Sequence, residues 1–196
     1  MKGKIKEIEN KNDFNKVYRV FSGAPYYEKY TEEELKEIFE EYKKKGYVYG
    51  AYSDDRCLGI VALERGVKKE QPVEYQDEKV MYLADIAVLE DYRKKGLGTK
   101  LMLYAVMKSK ELGYDKVYMR TLEAEKSMSY GIARKIGFKQ IPNLYQQIKR
   151  ERMDGSFTSA QNIFLELDLN NLDKKVLKES IEKAVLRKEE LQKGER

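Results

Sequence analysis

The spacing of apolar and polar side chains predicts a strand, two helices and a β-hairpin in the first third of the chain. Charged and apolar residues alternate at the start, a period of two that is typical of a half-buried strand. Helical spacing follows twice, and the second helix opens with a capping-box pattern at Thr31 and Glu34. The predicted elements are a strand at 4–9, helices at 12–23 and 31–46, and strands at 47–53 and 57–64.

The remainder of the chain continues as alternating strands and helices. Residues 79–88 (KVMYLADIAV) are apolar on both predicted faces, which indicates a central strand covered on each side, with Ile86 and Val88 on the face of Tyr82. Residues 142–161 are polar and read as turns. The other predicted elements are helices at 99–113 and 127–137, strands at 115–122 and 162–169, and a charged amphipathic helix from Asp173 onward.

Composition removes several classes of chemistry. The 196 residues include no histidine and one cysteine, Cys57. Ser-His-Asp and Cys-His nucleophile arrangements, Cys/His zinc sites and an intramolecular disulfide are therefore excluded within one chain. Any metal would need carboxylate ligands, and we expect none. We expect Cys57 to be a buried core residue in preference to a nucleophile.

Charge and hydropathy indicate the compartment and the partners. The 39 Lys and Arg residues against 34 Asp and Glu give a net charge of +5, and the two signs are interleaved along the chain. A dedicated nucleic-acid binder concentrates its basic residues on one face, so we expect no nucleic-acid partner; an RNA-associated role would rest on the net charge alone. No apolar run reaches the roughly 20 residues of a membrane span, and the start lacks a signal-peptide pattern. We expect a soluble, cytoplasmic protein without a membrane partner.

A basic turn containing glycine follows the central strand and opens the next helix. Gly96 and Gly98 allow close approach to the backbone, and the unpaired N–H groups at a helix start favour an anion such as a pyrophosphate. The spacing fits neither a Walker loop nor a dinucleotide-binding fingerprint. The alternative is a tight strand-to-helix turn with a solvated basic face.

The pattern Arg93-x-x-Gly96-x-Gly98 after YLADIAV resembles the acyl-CoA-binding signature of the GNAT superfamily of N-acetyltransferases. ARKIGF at 133–138 resembles its second signature. The resemblance implies an α/β (α+β) fold with a mixed, mostly antiparallel sheet flanked by helices, and acetyl-CoA as co-substrate. It implies a domain over residues 1–170, with residues 171–196 as an extra helix packed on it or at a homodimer contact. The implied cofactor-binding residues are Ile86, Ala87, Val88, Arg93, Lys94, Lys95, Gly96, Leu97, Gly98 and Thr99.

The catalytic positions depart from the family pattern. Ala133 stands where many members place the tyrosine that protonates the CoA thiolate, and the usual asparagine near the helix start is missing. Tyr130 is the substitute candidate, with packing against the neighbouring strand as the alternative. Asp85 is the candidate base because a charge in a central strand is costly to bury; an ion pair with Arg120 is its alternative. Glu123 and Glu125 are further candidate acids, and Tyr26, Tyr27 and Tyr30 either bind substrate or cover the sheet.

These residues lead us to expect an N-acetyltransferase that moves an acetyl group to a primary amine by direct transfer in a ternary complex. A tyrosine can protonate the leaving thiolate, and a carboxylate can deprotonate the amine, so imidazole is not needed. The amine is left open among small molecules, peptide N-termini and lysines, since fold does not fix substrate. The alternative is a catalytically impaired CoA-binding sensor or partner-binding module, because Ala133 replaces the tyrosine.

Overall fold

The protein is described by a computed structural model that covers residues 4–9, 13–24, 27, 29–68, 71–75, 79–122, 127–151, 156–173, 175–177 and 179–181. Strands and helices alternate through these residues. In chain order they are β1 (Lys4–Glu7), α1 (Phe14–Ser22), α2 (Glu32–Lys45), β2 (Gly46–Ser53), β3 (Arg56–Arg65), β4 (Val80–Val88), a 3₁₀ turn (Glu90–Tyr92), α3 (Leu97–Glu111), β5 (Lys116–Leu122), α4 (Met128–Ile136), β6 (Lys139–Glu151) and β7 (Phe157–Asp168).

The seven strands form one sheet in the order β1-β2-β3-β4-β5-β7-β6. Every neighbouring pair is antiparallel except β4 and β5, which are parallel and joined through α3. The predicted mixed, mostly antiparallel sheet flanked by helices is therefore confirmed. The single parallel pair lies at the centre of the sheet, between its two antiparallel halves.

Helices cover both faces of the sheet and bury separate apolar clusters. On one face, α1 and α2 bury Phe21 and Phe39 against Ile60 and Ala62 of β3. On the other, α3 packs against β4 and β5, with fully buried side chains such as Leu101. The capping box of α2 is formed as predicted: the Thr31 hydroxyl accepts from the Glu34 N–H at 3.3 Å, and the Glu34 carboxylate accepts from the Thr31 N–H at 2.8 Å.

A bulge in β4 alters the alternation that the sequence predicts. Asp85 lies opposite Ala62 of β3, but Leu83 lies opposite the next residue, Leu63, so Ala84 is an extra residue. Beyond it, Ile86 and Val88 pack on the α3 face, whereas Ala87 is buried on the α1–α2 face. The predicted placement of Ile86 and Val88 on the face of Tyr82 is therefore wrong, because the bulge shifts the side-chain alternation by one residue.

The polar stretch after α4 forms two strands where the sequence predicts mainly turns. β6 covers residues 139–151, and β7 begins at Phe157, earlier than the predicted start at residue 162. β6 is the outermost strand and pairs only with β7, so much of it faces solvent. An exposed edge strand is polar because it has no second partner strand and little apolar surface to bury. Its sequence therefore lacks the apolar periodicity by which a strand is predicted.

The predicted C-terminal helix is described only at its start. Residues 175–177 and 179–181 are helical, and Leu177 is buried against the α3 face with Ile181 packed beside it. The rest of the predicted helix lies outside the described residues, as does its apolar stripe beyond Ile181. None of the helices in the described ranges is long and apolar enough to cross a membrane.

Candidate active site

The N-terminus of α3 forms an uncapped cluster of backbone N–H groups. Gly96 adopts the left-handed conformation with φ of 81° and precedes the helix, and no side chain caps it. The first intrahelical bond runs from the Lys100 N–H to the Gly96 carbonyl at 3.0 Å, so the N–H groups of Leu97, Gly98 and Thr99 lie before the helical ladder. Together with the helix dipole, these donors suit an anionic group.

Basic residues of the preceding turn divide into two roles. Lys94 and Lys95 are exposed, and Lys94 has φ of 56°. Arg93 is partly buried and donates through Nε to the Val88 carbonyl at 3.0 Å and through its terminal nitrogen to the Gly23 carbonyl at 2.5 Å. Arg93 therefore ties the turn to the end of β4 and to the end of α1, while the two lysines leave their charge at the surface.

The end of β4 has a free backbone edge on the side of β5. The two strands pair only from Val80 to Leu83 on β4, which leaves a gap beside Ile86, Ala87 and Val88. The Leu89 N–H bonds to β3, so by antiparallel alternation the polar groups of Ile86 and Val88 point into the gap. Arg93 already donates to the Val88 carbonyl. On this edge the Ile86 carbonyl therefore remains as an acceptor and the Val88 N–H as a donor.

Asp85 lies at the bulge, on the opposite sheet face from Ile86, and is held by a tyrosine pair. The Tyr27 hydroxyl donates to Asp85 Oδ2 at 2.5 Å and lies 3.0 Å from the Tyr42 hydroxyl. Burial raises the pKa of Asp85 to about 6, although the Tyr27 hydrogen bond and the Ile86 N–H lower it. Arg120, the partner expected in the alternative interpretation, donates to Gln146 Oε1 at 3.1 Å. A carboxylate of this kind is ionised at neutral pH and can accept a proton from an amine.

α4 brings Tyr130 and a cluster of hydroxyl groups to the same end of the sheet. Tyr130 is partly buried and packs against the apolar cluster on the α3 face, and Ala133 is fully buried. The hydroxyls of Thr121, Ser127 and Ser129 form a triangle with sides of 2.5 to 2.7 Å. Sequence reasoning missed this triangle; its one visible sign was a serine where the family pattern places asparagine.

The other candidates contribute less to this opening. Cys57 is buried, and burial raises the pKa of its thiol to about 11, which does not suit a nucleophile. Glu123, Glu125 and Tyr26 lie outside the described residues. In the part of the chain that the structure describes, no three acidic or thiol side chains are grouped to hold a metal ion.

Comparison with known proteins identifies the family of the chain. Residues 14–138 match the model of the acetyltransferase (GNAT) family. An uncharacterised N-acetyltransferase of Bacillus subtilis (strain 168), YvbK, is 35% identical over 86 residues, which is 44% of this chain and 49% of that protein. The chain thus aligns with about half the length of this curated relative.

Two solved structures share the fold at low sequence identity. A Bacillus subtilis acetyltransferase in complex with CoA superposes with a TM-score of 0.62 and 23% identity, covering 85% of this chain and 99% of that one. The ribosomal-protein-S18-alanine N-acetyltransferase of Escherichia coli gives a TM-score of 0.64 and 16% identity, covering 87% of this chain and 99% of that one. At these identities the likeness describes the fold alone.

Proposed function

The chain belongs to the acetyltransferase (GNAT) family, and on this premise we propose that it transfers an acetyl group from acetyl-CoA to a primary amine by direct attack in a ternary complex. One observation carries the proposal. The uncapped start of α3, the unpaired end of β4 and the Asp85 carboxylate all lie at the end of the sheet where β4 and β5 separate. An anion site, a free strand edge and a base are the parts that such a transfer needs.

The proposed acetyl-CoA site uses the backbone more than side chains. The N–H groups of Leu97, Gly98 and Thr99 would bind the pyrophosphate, with the charges of Lys94 and Lys95 beside them. The Ile86 carbonyl and the Val88 N–H would pair with the amides of the pantetheine arm as a neighbouring strand does. Arg93 would act by positioning, since its guanidinium holds the turn against β4.

In the proposed reaction the acceptor nitrogen loses two protons, and a C–N bond replaces the C–S bond. Asp85 takes a proton from the substrate ammonium, and the neutral amine nitrogen attacks the thioester carbonyl carbon. A backbone N–H at the β4 opening polarises the carbonyl oxygen as the C–N bond forms. The C–S bond then breaks, Tyr130 donates a proton to the departing thiolate, and the second proton lost by the attacking nitrogen restores the Tyr130 hydroxyl. No covalent acyl-enzyme is needed, because the amine reaches the carbonyl directly.

The alanine at the family's proton-donor position, Ala133, supports a second candidate function. Ala133 is buried in the core and has no protic side chain, and Tyr130 has no hydrogen-bond partner among the described residues that would aim its hydroxyl. A chain that binds acetyl-CoA without transferring the acetyl group would serve as a sensor or partner-binding module.

Two measurements separate the candidates. Acetyl-CoA at 100 times its dissociation constant adds about 2.7 kcal/mol of stability, which for a chain of this size raises the melting temperature by roughly 5–10 °C. CoA release is then followed with a panel of primary amines. A shift with amine-dependent release supports the acetyltransferase, and a shift without release on any amine supports the sensor. The absence of a shift at near-millimolar acetyl-CoA contradicts both.

A further inference from the structure

A second buried polar cluster lies on the sheet face that carries Asp85. Its members are Glu64 at the end of β3, Gln71 in the segment between β3 and β4, and Tyr82 on β4, with exposed fractions of 3%, 6% and 3%. Neither the proposed cofactor site nor the proposed proton transfers use these three residues, which we call the Glu64 cluster. Polar side chains are buried at a cost unless they find partners, so this cluster needs an explanation.

Several polar atoms of the Glu64 cluster lack hydrogen bonds. Among the described residues, Gln71 Oε1, Gln71 Nε2 and Glu64 Oε1 have no hydrogen-bond partner of ordinary geometry, although the Gln71 amide lies near enough to the Tyr82 hydroxyl to lower its pKa. Lys68 Nζ lies 3.1 Å from Glu64 Oε1, close enough for an ion pair but without hydrogen-bond alignment. The same ammonium sits 5.5 Å from the centre of the Tyr82 ring. A carboxylate and an aromatic face thus already hold one ammonium group, and the Gln71 amide carbonyl is left without a donor.

The register of β3 and β4 fixes the distance between this cluster and Asp85. Glu64 lies opposite Tyr82, and Asp85 lies opposite Ala62, two residues before Glu64. Opposite residues share a face, so Glu64 and Asp85 are diagonal neighbours, roughly 7–8 Å apart along the backbone with their Cβ atoms somewhat closer. The charge of Arg120 on β5 lies across Tyr82 from Glu64, and its guanidinium is engaged by Gln146. If Lys68 swings out, two carboxylates face one guanidinium, and the pocket is net acidic.

Tyr42 of α2 lies within the electrostatic influence of both carboxylates. Its hydroxyl bonds to Tyr27, the tyrosine that holds Asp85. Burial raises the pKa of Tyr42, and the nearby charges of Asp85 and Glu64 add to this increase. Burial also raises the pKa of Tyr82, against the opposing effects of Arg120 and Gln71. Tyr27 and Tyr42 thus lie on the Asp85 side and Tyr82 lies opposite Glu64, and aromatic side chains near both carboxylates suit an aliphatic chain with a cation at each end.

We propose that the Glu64 cluster is a subsite for a second ammonium group of the acceptor, so that the preferred substrate is a linear diamine or polyamine. Glu64 and the Gln71 carbonyl bind the distal ammonium over the Tyr82 ring, and Lys68 is the internal occupant that it displaces. The spacing to Asp85 fits about four or five carbons between the nitrogens. This inference rests on the proposed acetyl transfer, since it places the reactive amine at Asp85.

Matched amines test the subsite. CoA release is measured with 1,4-diaminobutane and 1,5-diaminopentane against butylamine and pentylamine. Since a charge-assisted hydrogen bond contributes about 1.5–3 kcal/mol, we expect kcat/KM to be at least about tenfold higher for the diamines. Glu64→Gln should remove this preference while leaving the monoamine values and the KM for acetyl-CoA within about twofold. Gln71→Met, which lacks the carbonyl, should weaken the preference, and Glu74→Gln, an exposed acid of the same segment, should not.

The outcomes separate this inference from the proposed function. Equal kcat/KM for diamines and monoamines, or an equal loss for both in Glu64→Gln, overturns the subsite and leaves acetyl transfer intact. If no amine releases CoA, the melting temperature with 1,4-diaminobutane in the presence of acetyl-CoA still decides. A rise in the parent chain that Glu64→Gln abolishes supports the subsite, and no rise overturns it.

Discussion

Asp85 combines a partly enclosed carboxylate with a hydrogen bond from a tyrosine hydroxyl 58 residues earlier in the chain. Its position in an apolar strand makes it conspicuous in the sequence, because a buried charge needs a partner or a purpose. The partner was not predictable, since the segment before α2 has no periodic pattern that would aim Tyr27 at the sheet. Sequence reasoning therefore singled out Asp85 and Tyr27 separately and missed the hydrogen bond between them.

Replacement of Asp85 should change how stability depends on pH. The pKa of Asp85 rises from 3.8 to about 6 on burial, so the folded state binds this proton more tightly than the unfolded state. Ionisation therefore removes stability from the parent chain as pH rises from about 4 to about 6. In Asp85→Asn the amide oxygen still accepts from Tyr27, and no charge develops. We expect the variant to gain stability relative to the parent across this window and to keep the advantage above it, as measured by denaturant unfolding from pH 4 to pH 8.

The control for this prediction is Asp115→Asn, which removes a carboxylate that accepts from the Lys79 N–H at the opposite end of β4. Because the Asp115 carboxylate bonds at the exposed end of the strand, this variant should not share the gain in stability expected of Asp85→Asn. A stability difference between Asp85→Asn and the parent that is constant with pH would show that burial does not raise the pKa of Asp85.

Tyr130 is the proposed donor to the leaving thiolate, and its hydroxyl is the only atom that this role requires. Tyr130→Phe keeps the ring packed against the core. We expect turnover to fall by at least about tenfold with acetyl-CoA binding unchanged, since general acid catalysis contributes about 10²–10⁴-fold. Initial rates of CoA release and a thermal-shift titration provide the two readouts.

Unchanged turnover in Tyr130→Phe would remove Tyr130 from the mechanism. Ser129 would then be the next candidate, because it lies one helical turn before Ala133 on the same face of α4 and bonds to Thr121 and Ser127. Ser129→Ala is accordingly the companion variant, and it should have little effect if Tyr130 is the donor.

β4 shows how a single extra residue determines a site. The sequence predicts its central position and its two apolar faces, and both are confirmed by its neighbours β3 and β5. The bulge at Ala84 was not predictable, because alternation within one strand does not reveal the register of its partner. Yet the bulge turns Asp85 towards Tyr27 and the Ile86 and Val88 side chains towards α3, and it lies where β4 leaves β5.

The start of α3 was the most predictable part of the site. Substitutions at two glycines test whether this turn binds acetyl-CoA. Gly96 and Gly113, at opposite ends of the helix, both have φ of 81°. Alanine at either position should cost about 1–2 kcal/mol, the usual penalty for a left-handed residue with a Cβ. Only Gly96→Ala should also weaken acetyl-CoA binding, because only this strain reorients the N–H groups of Leu97 and Gly98. Denaturant unfolding and calorimetric titration measure the two effects.

Gly113→Ala is the matched control, with the same backbone strain and no cofactor contact proposed. Equal acetyl-CoA affinity in the two variants, at equal loss of stability, would mean that the Gly96 turn is structural and that the cofactor binds elsewhere.

Across the whole molecule, the elements in the middle of the chain could be predicted from the sequence better than the segments on either side. Residues 79–138 contain both signature patterns, and their elements agree with the prediction because strong apolar periods and glycine stops mark them. The last hairpin and the segment around Gln71 carry polar sequence, so their burial depends on contacts from distant parts of the chain. The proposed subsite for the second ammonium group includes Gln71 from such a segment, which is why the amine could not be chosen from the sequence.

In the proposed mechanism, Asp85 accepts the proton of the acceptor amine at an acetyl-CoA site formed by β4 and α3. The most direct test is the pH dependence of kcat/KM for the amine, measured by CoA release at saturating acetyl-CoA for the parent chain and Asp85→Asn. We expect an activity that rises through about pH 6 in the parent, following the raised pKa of Asp85, and a rate at least about tenfold lower without that inflection in the variant. Identical profiles and rates in the two proteins would contradict it.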